Sequence, residues 1–315
     1  MATVSNAVVT YSYTGNREDL SDIISNVDPT ATPFLTALET VKATSTKHEC
    51  LTRGLTAASA TNFVIEGEDA TTDAGNSNTR LFNYTAISDK VAIVTGTQEA
   101  VSSAGVRSNM ALEMEDKMKE LKRDVEKIYL ENNAYVVGTT SVARESAGFC
   151  TYVKTNISKA SDGTAAAGTG ADAYTDGTAR PLQESFVEAA LATGWSNGAN
   201  PTKGYLNAFQ KRKFATFSGS STKMSDGDKK KVVNSVDVYI DPLGTEISLV
   251  PSRQMPTDMI YFVDHDYVKS AVLRNFKVAD LAKNGDYIRK QIIFEGCLEV
   301  SNEKAHCGVY DLTTS

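Results

Sequence analysis

Between Ile65 and Leu81 the chain has no large apolar residue, and the stretch 66–79 is acidic, small and polar. Strand-like runs flank it at residues 62–65 and 81–87. The pattern predicts a long hairpin with an acidic tip. Such a tip has no core of its own, so it is stable only when laid on something else. Further on, Met110, Met114, Met118, Leu121, Val125 and Ile128 recur at spacings of four and three, one stripe of an amphipathic helix. The spacing predicts a helix over residues 103–132, about 45 Å long at ~1.5 Å per residue. Charges of both signs cover its other faces, with Glu113–Lys117 and Glu115–Lys119 as favourable i,i+4 pairs.

Upstream, residues 10–13 read as a short strand. Residues 18–26 read as a short helix capped by Asn16, with Leu20, Ile23 and Ile24 on one face. Pro29 stops it, and Pro33 opens a second short helix carrying Phe34, Leu35 and Leu38. Two short helices joined by prolines make a strap, not a domain. Residues 91–95 read as a buried strand and 156–180 as an exposed loop. Residues 181–193 read as a helix closed by Gly194, with Trp195 after it as a core or hinge residue. Residues 204–208 read as a strand and 209–217 as a helix. Val236, Val238 and Ile240 alternate before the turn Asp241 to Gly244, and Ile247, Leu249 and Val250 return, which is a hairpin. Strand-like runs at 259–263, 271–276, 287–300 and 305–312 finish the chain.

Composition adds limits. No apolar run approaches the roughly 18 residues that span a bilayer. The first residues lack a basic then apolar leader, so secretion is not expected. Four cysteines, without a CxxC pair, are too few for a disulfide framework and fit a reducing compartment. Residues 1–100 hold six Lys/Arg against twelve Asp/Glu, nearly the whole net charge of −7. A tight nucleic-acid binder needs the opposite sign. The histidines His48, His265 and His306 lack metal-site spacings, and His306 and Cys307 on a strand would face opposite ways. Neither a nucleophile elbow nor a phosphate-binding loop occurs. No catalytic, cofactor or metal residue is therefore assigned, and an enzyme is not expected.

The order of strap, hairpin, long helix, α+β lobe and returning strands resembles the Hong Kong 97-type fold of tailed-phage major capsid proteins. Particular segments are similar to a branch typified by podophage capsid proteins. They are Arg17 to Leu20 with Asp28-Pro29 and Thr32 to Phe34; Lys47 to Glu49; Arg80 with Asn83; Val94 to Thr97; Glu120 to Glu126; Asn284 to Asp286; Glu295; and Leu298 to His306. Cys50 departs from the tryptophan expected there.

The resemblance implies an α+β fold with an N-terminal arm at 1–48 and an extended loop at 49–92. It implies a peripheral domain at 93–150 and 271–304, and an axial domain at 151–270 and 305–315. It implies self-assembly into hexamers and pentamers of an icosahedral head around double-stranded DNA, in the virion, after assembly in the host cytoplasm. Expected partners are a separate scaffolding protein, a portal, weakly held DNA and a decoration protein, with no membrane. A tail-tube or surface-layer subunit is the alternative. Expected inter-subunit contacts are Glu66, Glu68, Asp69, Asp73 and Arg80 on the loop, with Arg17, Pro29, Pro33 and Phe34 in the strap. Lys229, Lys230 and Lys231 are expected near a capsomer axis or the lumen. Some members of the fold join neighbours by Lys–Asn isopeptide bonds aided by a Glu, a role Glu295 is placed to fill. Between Gly54 and Asp89, however, Arg80 is the only basic residue, and a guanidinium is no nucleophile, so such bonds are not expected here.

Overall fold

A computed structural model describes residues 30–70, 75–101, 106–217, 225–226, 231–232 and 237–314. Arg17, Pro29, Asp73, Lys229 and Lys230 lie outside them, as do the strand and helix expected at 10–13 and 18–26. Of Lys231 only the backbone is described.

The elements run α1 (Pro33–Ala37), β1 (Glu39–Lys42), β2 (Lys47–Arg53), β3 (Asn78–Tyr84), β4 (Ala86–Thr95), α2 (Gly96–Ala100), α3 (Asn109–Leu130), β5 (Ile157–Ser158), α4 (Glu184–Ser196), β6 (Lys203–Leu206) and α5 (Ala208–Phe214). There follow β7 (Ser225–Asp226), β8 (Lys231–Val232), β9 (Val238–Ile240), β10 (Glu246–Pro251), β11 (Ile260–Val263), β12 (Val268–Asp280), β13 (Tyr287–Val300) and β14 (Cys307–Val309). One sheet has the order β1-β12-β13-β4, and a second has β5-β14-β11-β6-β10-β9. Among the described residues, strands β2 and β3 pair only with each other, as do β7 and β8.

Helix α3 is shorter than expected, about 33 Å, because Ser108 caps it, its hydroxyl accepting from Ala111 N. Its buried residues are Met110, Leu121, Val125, Glu126, Tyr129 and Leu130, so the buried face widens toward the C-terminal end. Lys119 pairs with Glu115 as expected, but Lys117 turns to Glu120 instead of Glu113. The helix lies on the first sheet through Ala92, Val94, Ile292 and Phe294. The same core continues into the second sheet through Phe149, Tyr205, Tyr261 and Tyr310. A second core, with Val187, Leu191, Phe214, Tyr239, Ile247 and Phe262, sits between α4, α5 and the second sheet.

Several expectations change. The hairpin pairs β2 with β3, from Lys47↔Tyr84 to Arg53↔Asn78, and residues 62–65 form no strand. Val238 and Ile240 are exposed, and Tyr239 between them faces the core. Val236 lies outside the described residues; from Val238 to Ile240 the alternation was right and its inward face wrong, because a tyrosine buries more apolar area than a flanking Val or Ile. Gly194 lies inside α4, where a Cβ would stand 2.3 Å from Cys307 Sγ. The helix ends instead at Asn197–Gly198, with Gly198 at φ +88. Trp195 is mostly exposed, not core. Segment 156–180 is no free loop: Asn156, Ala160, Ala166 and Tyr174 are buried. Asp311 holds it by accepting from Ala160 N, Gly177 N and Tyr174 OH.

Candidate assembly site

The β2–β3 hairpin is fastened at its root and free at its tip. At the root, His48 Nε2 meets Glu299 Oε2 at 2.7 Å. Asn83, buried, donates to Leu298 O and accepts from Ala147 N. Tyr152 OH donates to Phe82 O, and the Cys50 thiol to Val300 O. The rings of Phe82, Tyr84 and Tyr135 pack together, and Lys47 Nζ stands 4.0 Å from the Phe82 ring centre. These contacts use both strands, so a short two-stranded ribbon, marginal in isolation, is held on the body.

Beyond Arg53 the chain leaves the body, and residues 54–70 are all exposed. The Ile65 carbonyl accepts from Glu68 N across Glu66 and Gly67, and Gly67 sits at φ +86. This is a type II turn, which requires glycine at that position. Glu68 also bends back, its carboxylate accepting from Ile65 N. Glu66 and Asp69 have no ion-pair partner among the described residues. Just before the turn Phe63, Val64 and Ile65 are 88%, 80% and 77% exposed. Each forgoes roughly 1.5–3 kcal/mol of burial. A contiguous apolar triad beside carboxylates marks a surface made to be covered. Its signal in the sequence was three adjacent apolar residues without strand alternation.

Of the expected contact residues, the structure brings Glu66, Glu68 and Asp69 together at this tip. Arg80 lies nearer the root and pairs with Glu49 of its own chain at 3.2 Å. Phe34 is fully buried against Phe149, Tyr205 and His265 of its own chain, so it has no surface to offer a neighbour. What Phe34 and Pro33 anchor is α1 on its own subunit.

Reactive groups are muted. Burial pushes the Cys50 thiol up to about 11 and the other three thiols to about 12. His265 meets Tyr205 OH at 2.8 Å. His306 is fully buried, pushed down to about 3 by burial, and its Nδ1 accepts from Asp264 N. It packs on Phe149 in the first core while Cys307, the next residue, faces Gly194 in the second, so the two divide between faces as expected. Among the described residues no three metal-binding side chains group together, and no helix is long and apolar enough to cross a membrane. Glu295 is buried and held by Arg144 and Arg274, each at 2.6 Å. Denaturing electrophoresis of assembled particles should show a single monomer band, and a ladder above it would refute the absence of isopeptide bonds.

The sequence model of the SU10 major capsid protein family matches residues 7–313. The major capsid protein of Escherichia phage Phieco32 is 26% identical over 332 residues, covering 94% of each chain. Among solved structures, a capsid chain of cyanophage A-1(L) has a TM-score of 0.65 at 12% identity, over 98% of this chain and 100% of that one. A capsid chain of a native GTA particle has a TM-score of 0.62 at 14% identity, over 99% and 100%. At such identities the structural likeness establishes the fold, which is the Hong Kong 97-type fold of phage capsids. Because the family match runs through the arm, the long helix and both sheets alike, the chain belongs to the SU10 major capsid protein family, a self-associating structural subunit of a phage capsid and not a tail-tube or surface-layer subunit.

Proposed function

We propose that this subunit builds the hexamers and pentamers of an icosahedral head by laying its β2–β3 arm on a neighbouring copy, and that the head encloses double-stranded DNA. The observation that carries the reading is the arm itself: fastened at the root, and at the tip apolar, acidic and uncovered. In this reading α3 with β13, most of β12 and the end of β4 forms the peripheral domain, residues 93–150 and 271–304. The six-stranded sheet forms the axial domain, residues 151–270 and 305–315. Residues 1–48 are the N-terminal arm, and Lys229 to Lys231 lie near a capsomer axis or the lumen. The chain works without catalysis or cofactor. A net charge of −7 keeps the shell from gripping phosphates, so packaged DNA meets it weakly. A scaffolding protein, a portal and a decoration protein complete the assembly, which takes place in the host cytoplasm.

Each contact can be weak, because arm and body contacts act together. The triple reversal Glu66→Lys, Glu68→Lys and Asp69→Lys should lower the yield of closed shells at least tenfold, read by negative-stain microscopy at rising subunit concentration. The melting temperature of the unassembled subunit should not move, since residues 54–70 touch no core. Normal shells from the triple variant would remove the arm from the mechanism.

A further inference from the structure

A cleft of about 360 Å³ opens where the β2–β3 hairpin meets the body of its own subunit. The hairpin contributes Arg53 and Thr79 to its wall, and the body contributes Lys154, Thr169 and Lys304. The three body residues come from three different connections: between α3 and β5, between β5 and α4, and between β13 and β14. Among the described residues, Glu303 supplies the one carboxylate of the wall, and it is engaged. Its Oε2 accepts from Lys154 N at 3.1 Å and Thr155 N at 3.2 Å, and its Oε1 from the Thr155 hydroxyl at 2.7 Å. Asp172, nearby in sequence, is likewise turned to Ala167 N. By contrast, the side chains of Arg53, Lys154 and Lys304 have no ion-pair or hydrogen-bond partner among the described residues, nor do the Thr79 and Thr169 hydroxyls. Gly168, at φ +80, lets its loop run close under the Lys154 stem, whose Cβ lies 3.3 Å from where a Cβ on residue 168 would stand. In a chain of net charge −7, three unpaired cations thus converge on one recess.

We propose that this cleft is a binding site for a phosphate group, held jointly by the hairpin and the body. The chemistry of the wall selects that ligand. A guanidinium presents paired donors that match two phosphate oxygens, and the two ammonium groups and two hydroxyls add donors for the rest. A phosphate group carries close to two negative charges and several acceptor oxygens. A carboxylate brings one charge and two oxygens, too little for three cations. The site also has a mechanical consequence. Without a ligand, Arg53 on the hairpin faces two lysines on the body, and like charges repel. A bound phosphate reverses that term and ties the hairpin to the body, adding to the contacts of His48 and Asn83 at the root. The group can belong to a free ion or to a nucleic-acid backbone, since both present the same oxygens. The inference does not depend on where the arm tip rests.

The full-length unassembled subunit is titrated with inorganic phosphate and pyrophosphate, followed by phosphorus NMR, and with a labelled short oligothymidylate, followed by fluorescence anisotropy, all at one ionic strength set with chloride. Saturable binding at one site per subunit is expected. Arg53→Ser with Lys154→Ser should weaken it at least tenfold, Lys154→Arg should retain it, and Lys283→Ser, an exposed lysine on the β12–β13 turn, should leave it unchanged. If the double variant melts early, Lys304→Ser replaces it, with an expected loss of at least threefold. Binding that does not saturate, or that these variants leave unchanged, means an adventitious ion only and overturns the site. Amide hydrogen exchange locates the ligand: residues 51–53 and 79–81 should exchange at least threefold more slowly with phosphate present, and no slowing there overturns the bridging of hairpin and body. Oligothymidylate binding that depends on Arg53 and Lys154 makes a nucleic-acid strand the source. Binding of phosphate and pyrophosphate but not the oligonucleotide makes it a free ion, and either result supports the site. An acidic peptide that displaces phosphate at equal concentration would assign the cleft to a protein segment and overturn the proposal.

Discussion

Glu126→Ala should cost the subunit about 3 kcal/mol, enough to lower its melting temperature by roughly 5 °C. Glu126 lies in the middle of a charged helix, yet it is fully buried. One carboxylate oxygen accepts from the Ser252 hydroxyl at 2.7 Å, the other from Leu35 N at 3.3 Å. Leu35 is in the first turn of α1, where backbone donors lack partners. The N-cap residue Thr32 makes no side-chain cap bond, so a side chain of α3 caps α1 from outside. A five-residue helix cannot stand alone. It is held by this carboxylate and by the buried ring of Phe34. Alanine leaves two buried donors unpaired and opens a void.

The same group gives a pH signature. Burial raises Glu126 above the ordinary glutamate range, outweighing the bonds from Ser252 and Leu35, which lower it. The folded subunit then holds the proton more tightly than the unfolded chain. Its stabilising effect is complete below the unfolded value near ~4.3 and is lost as pH rises through the raised folded value. Glu126→Gln removes this dependence. The unfolding free energy of the native chain minus that of Glu126→Gln should therefore fall from pH 4 to pH 7. A flat difference in denaturant titrations would show that Glu126 is not the group responsible.

Strong periodicity was legible in the sequence, and choices between faces were not. Strand β13 has the bounds expected from its long apolar run, residues 287–300. The stripe on α3 correctly marked Leu121 and Val125. Glu126 was invisible because nothing in a run of alternating charges shows which carboxylate turns inward; that depends on α1 arriving from 91 residues away. The hairpin was expected from the acidic tip, but its pairing strand was placed at 62–65. The true partner, β2, reads as Lys-His-Glu-Cys-Leu-Thr-Arg, too polar to look like a strand. Its pairing is secured at the root by His48, Cys50 and the Phe82–Tyr135 contact, which are long-range. Phe63, Val64 and Ile65 were misplaced for the converse reason. Apolar side chains predict burial, but none of the described residues of the subunit covers these three.

Glu295→Ala should be the most damaging single change in the four-stranded sheet, about 3–5 kcal/mol by denaturant titration. Glu295 lies on β13 with its side chain 4% exposed. It accepts from Arg144 Nη2 and Arg274 Nε at 2.6 Å each, and from the Thr85 hydroxyl at 3.3 Å. Three separate elements therefore close on one carboxylate. Arg144 comes from the connection after α3, where Val136 and Glu145 bridge. Arg274 is aimed inward by register shifts on either side of it in β12. A β-bulge re-aims a side chain in this way. Removing the carboxylate leaves two guanidinium groups facing each other, one of them largely buried, and the desolvation they have already undergone is no longer offset.

The partners should not be equivalent. Arg144→Ala removes a mostly buried ion and should cost about 2 kcal/mol, whereas the half-exposed Arg274 is screened by water and should cost under about 1 kcal/mol when changed to alanine. A cycle combining Arg144→Ala with Glu295→Ala should show strong coupling, because the double variant no longer strands the mostly buried Arg144 and leaves only the half-exposed Arg274 without its carboxylate. Additive effects would mean that Arg144 and Glu295 stabilise the sheet independently. The arrangement also leaves one positive charge in excess beside Lys277.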